Sequence, residues 1–476
     1  MTRLEQPPTT LPQHLTVAER IELGLAARRA VPIAELADHR PDTGRRDPVE
    51  ILQEQAVSRV PELVPIRYGR MLATPFSFYR GAAAVMAADL ADTPVSGFRV
   101  QLCGDAHVSN FGLFASPERQ LLFDINDFDE TYPGPWEWDV KRLVASLEIA
   151  AQANGLAPKV RRNIVRGAAR RYRSAMADFA AMRELDLWYA KLDTATVEGL
   201  VSKPLTKAQL KRLNKTEAKA RSRSSVQAFA KLTHLVDGQP RFIATPPLVV
   251  PIADLLQDHD REALTELISG LLRDYRATLP SDRQALLDRF RFIDMARKVV
   301  GVGSVGTRCW IVLLAGRDET DPLILQVKEA QRSVLADRLP LTMDTFGNQG
   351  ERVVSGQRLM QAASDIFLGW QSAVGVDGQH RDFYVRQLHD WKGSIETGLM
   401  QPAGLAAIAE ICAWTLARAH ARSGDRIAIA AYLGDGEQFA DAMGIFAADY
   451  AERNDRDHAA LAVAGHTGRV QVESGI

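Results

Sequence analysis

Apolar and polar positions change their rhythm twice along the chain, dividing it into helix-rich, β-rich and helix-rich parts. In "FYRGAAAVMAADLAD" (78–92) small and apolar residues recur at helical spacing, which predicts a buried helix leading into the β-type run "FRVQLCGD". "RQLLFDINDFDETYPGPWEWD" reads as a strand, an acidic loop and a Pro/Gly turn. "VKRLVASLEIAAQANGL" and "VRRNIVRGAARRYRSAMADFAAM" read as amphipathic helices, the first closed by Asn154 and Gly155. From about residue 292, "ARKVVGVGSVGTRCWIVLLAG" and "DPLILQVKEA" contain three β-rich runs, separated first by a glycine turn and then by a charged turn. "ERVVSGQRLMQAASDIFLGW" predicts a helix and "DFYVRQL" another strand; helical periodicity returns from 402 to the end. Residues 1–60 have weak periodicity and predict an arm with short helices, and no internal repeat interrupts the order.

Length and charge narrow this picture. A chain of 476 residues exceeds one ordinary core, so two or three packed units are expected. The net charge of −1 gives no global field for nucleic acid, so any anion binding has to come from a local patch. Cys103, Cys309 and Cys412 are too dispersed for a disulfide framework or a metal-ligand spacing. No apolar run has the length of a signal peptide core or a membrane span, and the expectation is a cytoplasmic protein away from membranes. The segment 201–225 sets eight Lys and Arg against the single Glu217; the commoner reading is a solvated helix face, the functional one a landing strip for an anionic substrate.

Four features carry candidate chemistry. "GDAHVSN" places Asp105 five residues before Asn110 in a loop after a strand. A carboxylate can orient an attacking hydroxyl, a carboxamide oxygen can hold Mg²⁺, and His107 can brace the loop between them; the plain alternative is an Asx-type turn. "FDINDFDET" brings Asp124, Asp127, Asp129 and Glu130 within seven residues, and such crowding favours a bound cation. "GVGSVGTRCW" spaces Gly301, Gly303 and Gly306, with Ser304 among them, between β-type runs. No helix follows, so this is not a dinucleotide fingerprint; a glycine-rich hairpin over phosphates fits better. Lys328 follows Gly306 by 22 residues in an apolar strand; it reads either as a snorkelling edge-strand lysine or as a buried one facing phosphate oxygens and a helix carboxylate, for which Glu351 is the candidate. Arg70 and Arg80 flank "MLATPFSFY" as phosphate contacts or as supports for acidic loops, and His420 and Asp425 read as a helix end capped by Gly424.

"GDAHVSN" resembles the catalytic loop of the aminoglycoside and choline phosphotransferase group, and "NDFDE" followed by "WEWDVKRLVAS" resembles that group's metal loop and following helix. The 12-residue gap from Asp127 to Asp139 favours Asp127 as the metal ligand, while the distance from Asn110 favours Asp124. Cys103 stands where the group usually has His. The glycine turn and Lys328 follow the catalytic loop instead of preceding it, and "CAWTLARAHARSGD" resembles the helix that normally runs into that loop. A circular permutation reconciles the order. Over nearly its whole length the chain also resembles an uncharacterised bacterial family, domain of unknown function 2252, through "PFSFYRGAAAVMAADL", "CGDAHVSNFGLFASPER" and "GQRLMQAASDIFLGW" among other stretches.

The resemblance implies an α+β, protein kinase-like two-lobed fold, circularly permuted. It divides as an arm (1–60), a helical part with the catalytic and metal loops (61–291), a β-rich nucleotide-binding part (292–400) and closing helices (401–476). The implied cofactors are ATP and Mg²⁺, with an unknown small-molecule or anionic acceptor. Nucleotidyl transfer in the same pocket, a phosphohydrolase built on Asp105, His107, Asp124 and Asp127, and a non-catalytic nucleotide-binding module are the rivals.

Overall fold

The structure is a computed structural model; it describes residues 14–475 apart from 39–43, 194–214, 216, 256–260, 319, 340–345, 376–377, 389, 396 and 399. Helix α1 (Val17–Ala30) starts on a reciprocal cap between Thr16 and Glu19. Helix α2 (Pro48–Ala56) starts on Asp47, with Pro48 at the position that needs no amide partner. Helices α3 (Val64–Leu72) and α4 (Pro75–Gly81) follow, and α5 (Ala83–Leu90) starts one residue later. The single helix expected over 78–92 is therefore split at Ala82. The cause is tertiary: the buried Arg67 donates Nη2 to the Gly81 carbonyl at 3.0 Å, and Gly81 lies so close to Met71 that a Cβ would sit 2.8 Å from its Cγ.

Strand β1 (Arg99–Leu102) leads into the candidate catalytic loop, after which β2 (Phe111–Ala115) and β3 (Leu121–Ile125) form a hairpin with Phe111 opposite Ile125. Antiparallel pairing brings the residue before β2 and the residues after β3 to one end. The amide of Asn126 accordingly donates to the Asn110 carbonyl at 2.8 Å, which is why the two motifs meet. Strand β4 (Tyr132–Pro135) returns to pair with β1, and α6 (Trp136–Ala153) runs from it through the core, beside α7 (Pro158–Ala181).

After a two-stranded ribbon of β5 (Thr233–Val236) and β6 (Gln239–Phe242), strand β7 (Val249–Pro251) and helices α8 (Arg261–Ala277) and α9 (Ser281–Leu287) precede the β-rich runs. Those runs are β8 (Arg291–Lys298), β9 (Cys309–Ala315) and β10 (Pro322–Ala330). Helix α10 (Gln349–Met360), β11 (Gly369–Val374) and β12 (His380–Gln387) follow. The six strands make one antiparallel sheet in the order β11-β12-β10-β9-β8-β7. Alternate residues face opposite sides. Val312, Leu314, Leu323 and Leu325 pack with Ile268, Tyr275 and Leu287, while Ile311, Leu313 and Ile324 pack with Ala228 and Phe242. The sheet thus takes in β7 and covers itself with α8 and α9, all from before residue 292.

Helix α10 is shorter than the run 351–370 predicts. The Ala362 amide is taken by Asp124 Oδ2 at 2.9 Å and the Gln361 side chain donates to the Ile125 carbonyl at 2.6 Å, so the chain leaves the helix to cover β3. The short strand β13 (Gly393–Ser394) joins β2. Helix α11 (Pro402–Ser423) packs on α7, and its end lands on β1. The Gln101 amide donates to Ser423 Oγ at 3.1 Å, and a Cβ on Gly424 would lie 2.5 Å from Val100 Cγ1. Helix α12 (Gln438–His466) closes a mixed α+β fold. Among the described residues no helix is long and apolar enough to cross a membrane.

Asp124, one of the two candidate metal ligands, is a structural residue. It is 1% exposed, and Arg418 of α11 donates Nη2 to both of its oxygens at 2.9 and 2.8 Å. Losing one partner of such a buried pair costs about 3–5 kcal/mol. Urea unfolding of Asp124→Ala should show a loss of that order, against less than about 1 kcal/mol for Asp127→Ala. Equal losses would contradict the distinction.

Candidate functional site

A cavity of about 1030 Å³ opens between the glycine turn of the sheet and the loops after β1 and β3. Asp105, His107, Asn110, Asp127, Gly301, Gly303 and Ser304 all line it, so most of the residues expected from the sequence meet there. The loop bearing Asp105 starts at Gly104, which has φ +82° and passes so close to the loop after β3 that a Cβ would lie 2.1 Å from the Glu130 carbonyl oxygen. Only glycine fits that approach.

Asp105 accepts from Arg142 Nε at 2.8 Å and lies 3.6 Å from His107 Nε2. His107 is buried, and burial pulls its pKa down to about 3 even with Asp105 beside it, so the ring is neutral; its Nδ1 has no hydrogen-bond partner among the described residues, and the bracing expected of it is not found. Asn110 donates its amide nitrogen to the Asp105 carbonyl at 2.8 Å. That leaves the amide oxygen as the atom able to ligate a cation.

The four clustered acids are neutralised largely by the protein. Asp124 has Arg418; Asp129 accepts from Lys328 Nζ at 2.6 Å and from the Tyr384 hydroxyl at 2.5 Å; Glu130 accepts from the Val334 amide at 2.8 Å. Asp127 differs. Its side chain is 33% exposed and stands 3.9 Å from Lys328 Nζ. Burial works against its charge, but Lys328, Arg386 and Lys392 outweigh that and hold its carboxyl below the usual range. Among the described residues no three His, Cys, Asp or Glu groups are arranged to hold a metal. The available set is therefore Asp127 and the Asn110 oxygen, which suits Mg²⁺ when phosphates and water complete its shell.

Lys328 is 3% exposed on β10, opposite Cys309 and Tyr384, and stands behind Asp129. Burial opposes its charge, but Asp127 and Asp129 raise its pKa well above the ordinary value. The expected partner Glu351 is not the one found: it lies in the first turn of α10, where its amide is capped by Asn348. Its neighbour Arg352 turns inward and donates to the carbonyls of Thr131, Asp129 and Gln331. In the glycine turn, Gly301 and Gly306 have φ of +67° and +89°; Arg70 donates to the Gly301 carbonyl at 2.7 Å and the Val60 amide to that of Gly306 at 2.8 Å.

Three supporting residues were not singled out from the sequence in these roles. Asp139 on α6 accepts from the Cys103 and Gly104 amides at 2.8 and 3.0 Å. One turn later Arg142 grips Asp105, and the pair at i and i+3 in "WEWDVKR" was the available signal. His420, read as a helix end, is fully buried between the Tyr172 hydroxyl at 2.9 Å and Asp139 at 3.3 Å. Asp425 caps the next helix, as its position near Gly424 suggested. Of the basic run, residues 203–214 and 216 lie outside the described residues.

Fold and site together define a mixed α+β protein with a cleft between a glycine turn and a loop bearing an aspartate and an asparagine; Lys328 does not line it but stands behind Asp129, which does. The chain belongs to the family described as "Uncharacterized protein conserved in bacteria (DUF2252)", whose model matches residues 59–464. Neither the curated proteins nor the solved structures contain a match.

Burial pushes the Glu130 carboxyl up to about 7, against the hydrogen bond from Val334. A carboxyl raised in the folded state contributes stability that is complete below its ordinary value of 4.5 and is lost as the pH rises through 7. The melting temperature of Glu130→Gln, compared with wild type, should gain most at neutral pH and least at acid pH. Parallel pH profiles would contradict this assignment.

Proposed function

We propose that the chain is an ATP- and Mg²⁺-dependent phosphotransferase with a circularly permuted, kinase-like arrangement, moving the γ-phosphoryl group to a hydroxyl acceptor. The observation that carries this reading is the convergence of Asp105, Asn110 and Asp127 with Gly301, Gly303 and Ser304 on one cavity, although the two sets are far apart in sequence. The landing of α11 on β1 supports the permutation, since it sets the end of a late helix against the strand that enters the catalytic loop.

In this reading Asp105, held by Arg142, orients the acceptor hydroxyl and receives its proton. The glycine turn approaches the phosphates through backbone amides, with Ser304 beside them, and Lys328 leaves Asp129 to meet them. Asp127 and Asn110 would hold the metal, whose chemistry is to neutralise charge on the phosphates.

One observation favours nucleotidyl transfer as a second reading. The space among Asn126, Gln361, Arg386 and Lys392 is a separate pocket that shares no lining residue with the cavity, and at about 60 Å³ it is too small for a purine. The base would then lie in the open cavity and the phosphates would point inward.

Calorimetry with ATP and Mg²⁺ tests the pocket. Wild type should bind, Lys328→Ala should bind at least about tenfold more weakly, and Asp105→Asn should bind nearly as wild type while losing turnover. Phosphorus NMR during incubation then separates ADP formation from pyrophosphate release. Absence of ATP binding under every metal condition would overturn both readings.

A further inference from the structure

Buried arginines in this protein generally have their charge answered. Arg142 meets Asp105, Arg418 meets Asp124 and Arg426 meets Glu184, while Arg352, which has no carboxylate, spends its donors on three carbonyls and Gln349. Arg59 and Arg67, with the half-buried Arg80 beside them, are different. Arg59 is 5% exposed and donates Nη1 to the Val305 carbonyl at 2.5 Å, while its Nε has no partner among the described residues. Arg67 is fully buried; Nη2 meets Gln55 Oε1 and the Gly81 carbonyl, while Nε and Nη1 have no partner. The buried Nε of Arg80 is likewise without one. Among the described residues none of the three is in an ion pair with a carboxylate.

Their position is as distinctive as their lack of partners. Arg59 supports the glycine turn from below, where a Cβ on Gly306 would lie 3.1 Å from Arg59 Cβ. The Arg80 carbonyl would lie 3.1 Å from a Cβ on Gly303. Both side chains line the cavity beside Asp105 and Ser304, and Arg67 stands behind them through its bond to Gly81. We propose that Arg59 and Arg80, backed by Arg67, form an oxyanion site in the cavity wall beneath the glycine turn, whose ligand is a phosphate-bearing small molecule.

Three reasons join in this assignment. Buried cations without counter-ions are costly, so they persist where a ligand neutralises them. Guanidinium groups match phosphate oxygens with planar pairs of donors, better than a point charge does. Burial also draws the pKa of all three below the ordinary arginine value, Arg59 to about 10, with Glu130 its largest compensating charge. The site stands without the phosphotransferase reading. Where that reading holds, the phosphate belongs to the acceptor, because Arg80 shares the cavity wall with Asp105, the group that orients the acceptor.

The test uses the full chain, titrated with inorganic phosphate and with pyrophosphate, read by calorimetry and by the shift in melting temperature. Wild type should be stabilised saturably at millimolar ligand. Arg59→Gln and Arg80→Gln should bind at least about tenfold more weakly, while the surface control Arg183→Gln is unchanged. Lys328→Ala should lose nucleotide and keep phosphate; loss of both would place the phosphate in the nucleotide pocket and overturn a separate site. Wild type without a saturable shift, or arginine variants binding as tightly as wild type, would also overturn it. Should Arg59→Gln fail to fold, Arg80→Lys decides, since it keeps the charge and loses the planar fork: weaker binding supports the site and undiminished binding overturns it.

Discussion

An ammonium group buried in the middle of a sheet is costly unless a carboxylate reaches it, and in this fold the carboxylate comes from the other end of the chain order. Lys328 on β10 is bonded to Asp129 at 2.6 Å, across 199 residues of sequence. That single pair ties the sheet to the loop that follows β3. Arg352 reinforces it from α10 by holding the backbone of Asp129 and Thr131. Moving the loop after β3 therefore disturbs the lysine, the helix and the glycine turn together, since Ser304 also reaches Asp129 at 3.3 Å.

A second buried network fixes the Asp105 loop. Asp139 holds two consecutive loop amides, His420 meets Asp139, and Tyr172 completes the line through the ring's other nitrogen. Each member sits on a different helix, so α6, α7 and α11 are all registered against the loop. Polar groups that are buried and satisfied in this way confine a loop more tightly than apolar packing does. Arg142 extends the line to Asp105, with its guanidinium 3.9 Å from the ring centre of Tyr79. Asp127, by contrast, remains partly exposed beside the cavity, the condition a cation ligand requires.

Local features of the fold were legible because they depend on neighbours in sequence. The strands at 291–330, the turn between them and the two long late helices follow from periodicity and glycine spacing. What stayed hidden depends on residues far away. Asp124 has the same local setting as a metal ligand, and Arg418, 294 positions on, together with the Ala362 amide makes it structural. Glu351 was the natural partner for Lys328 by position, but Asp129 is nearer in space. Crowded acids suggested a metal because mutual repulsion is visible in sequence, whereas the buried cations and amides that relieve it are not. The early ends of the helices at Gly81 and Met360 have the same origin, since each is set by a side chain packed in from elsewhere.

The central claim is that the loop after β3 and the lysine strand form one ligand site. A double-mutant cycle on nucleotide affinity in the presence of Mg²⁺, using Lys328→Ala and Asp127→Asn singly and together, tests it most directly. One shared site requires non-additive losses, with a coupling of at least about 1 kcal/mol. Losses that add within about 0.5 kcal/mol would contradict the account.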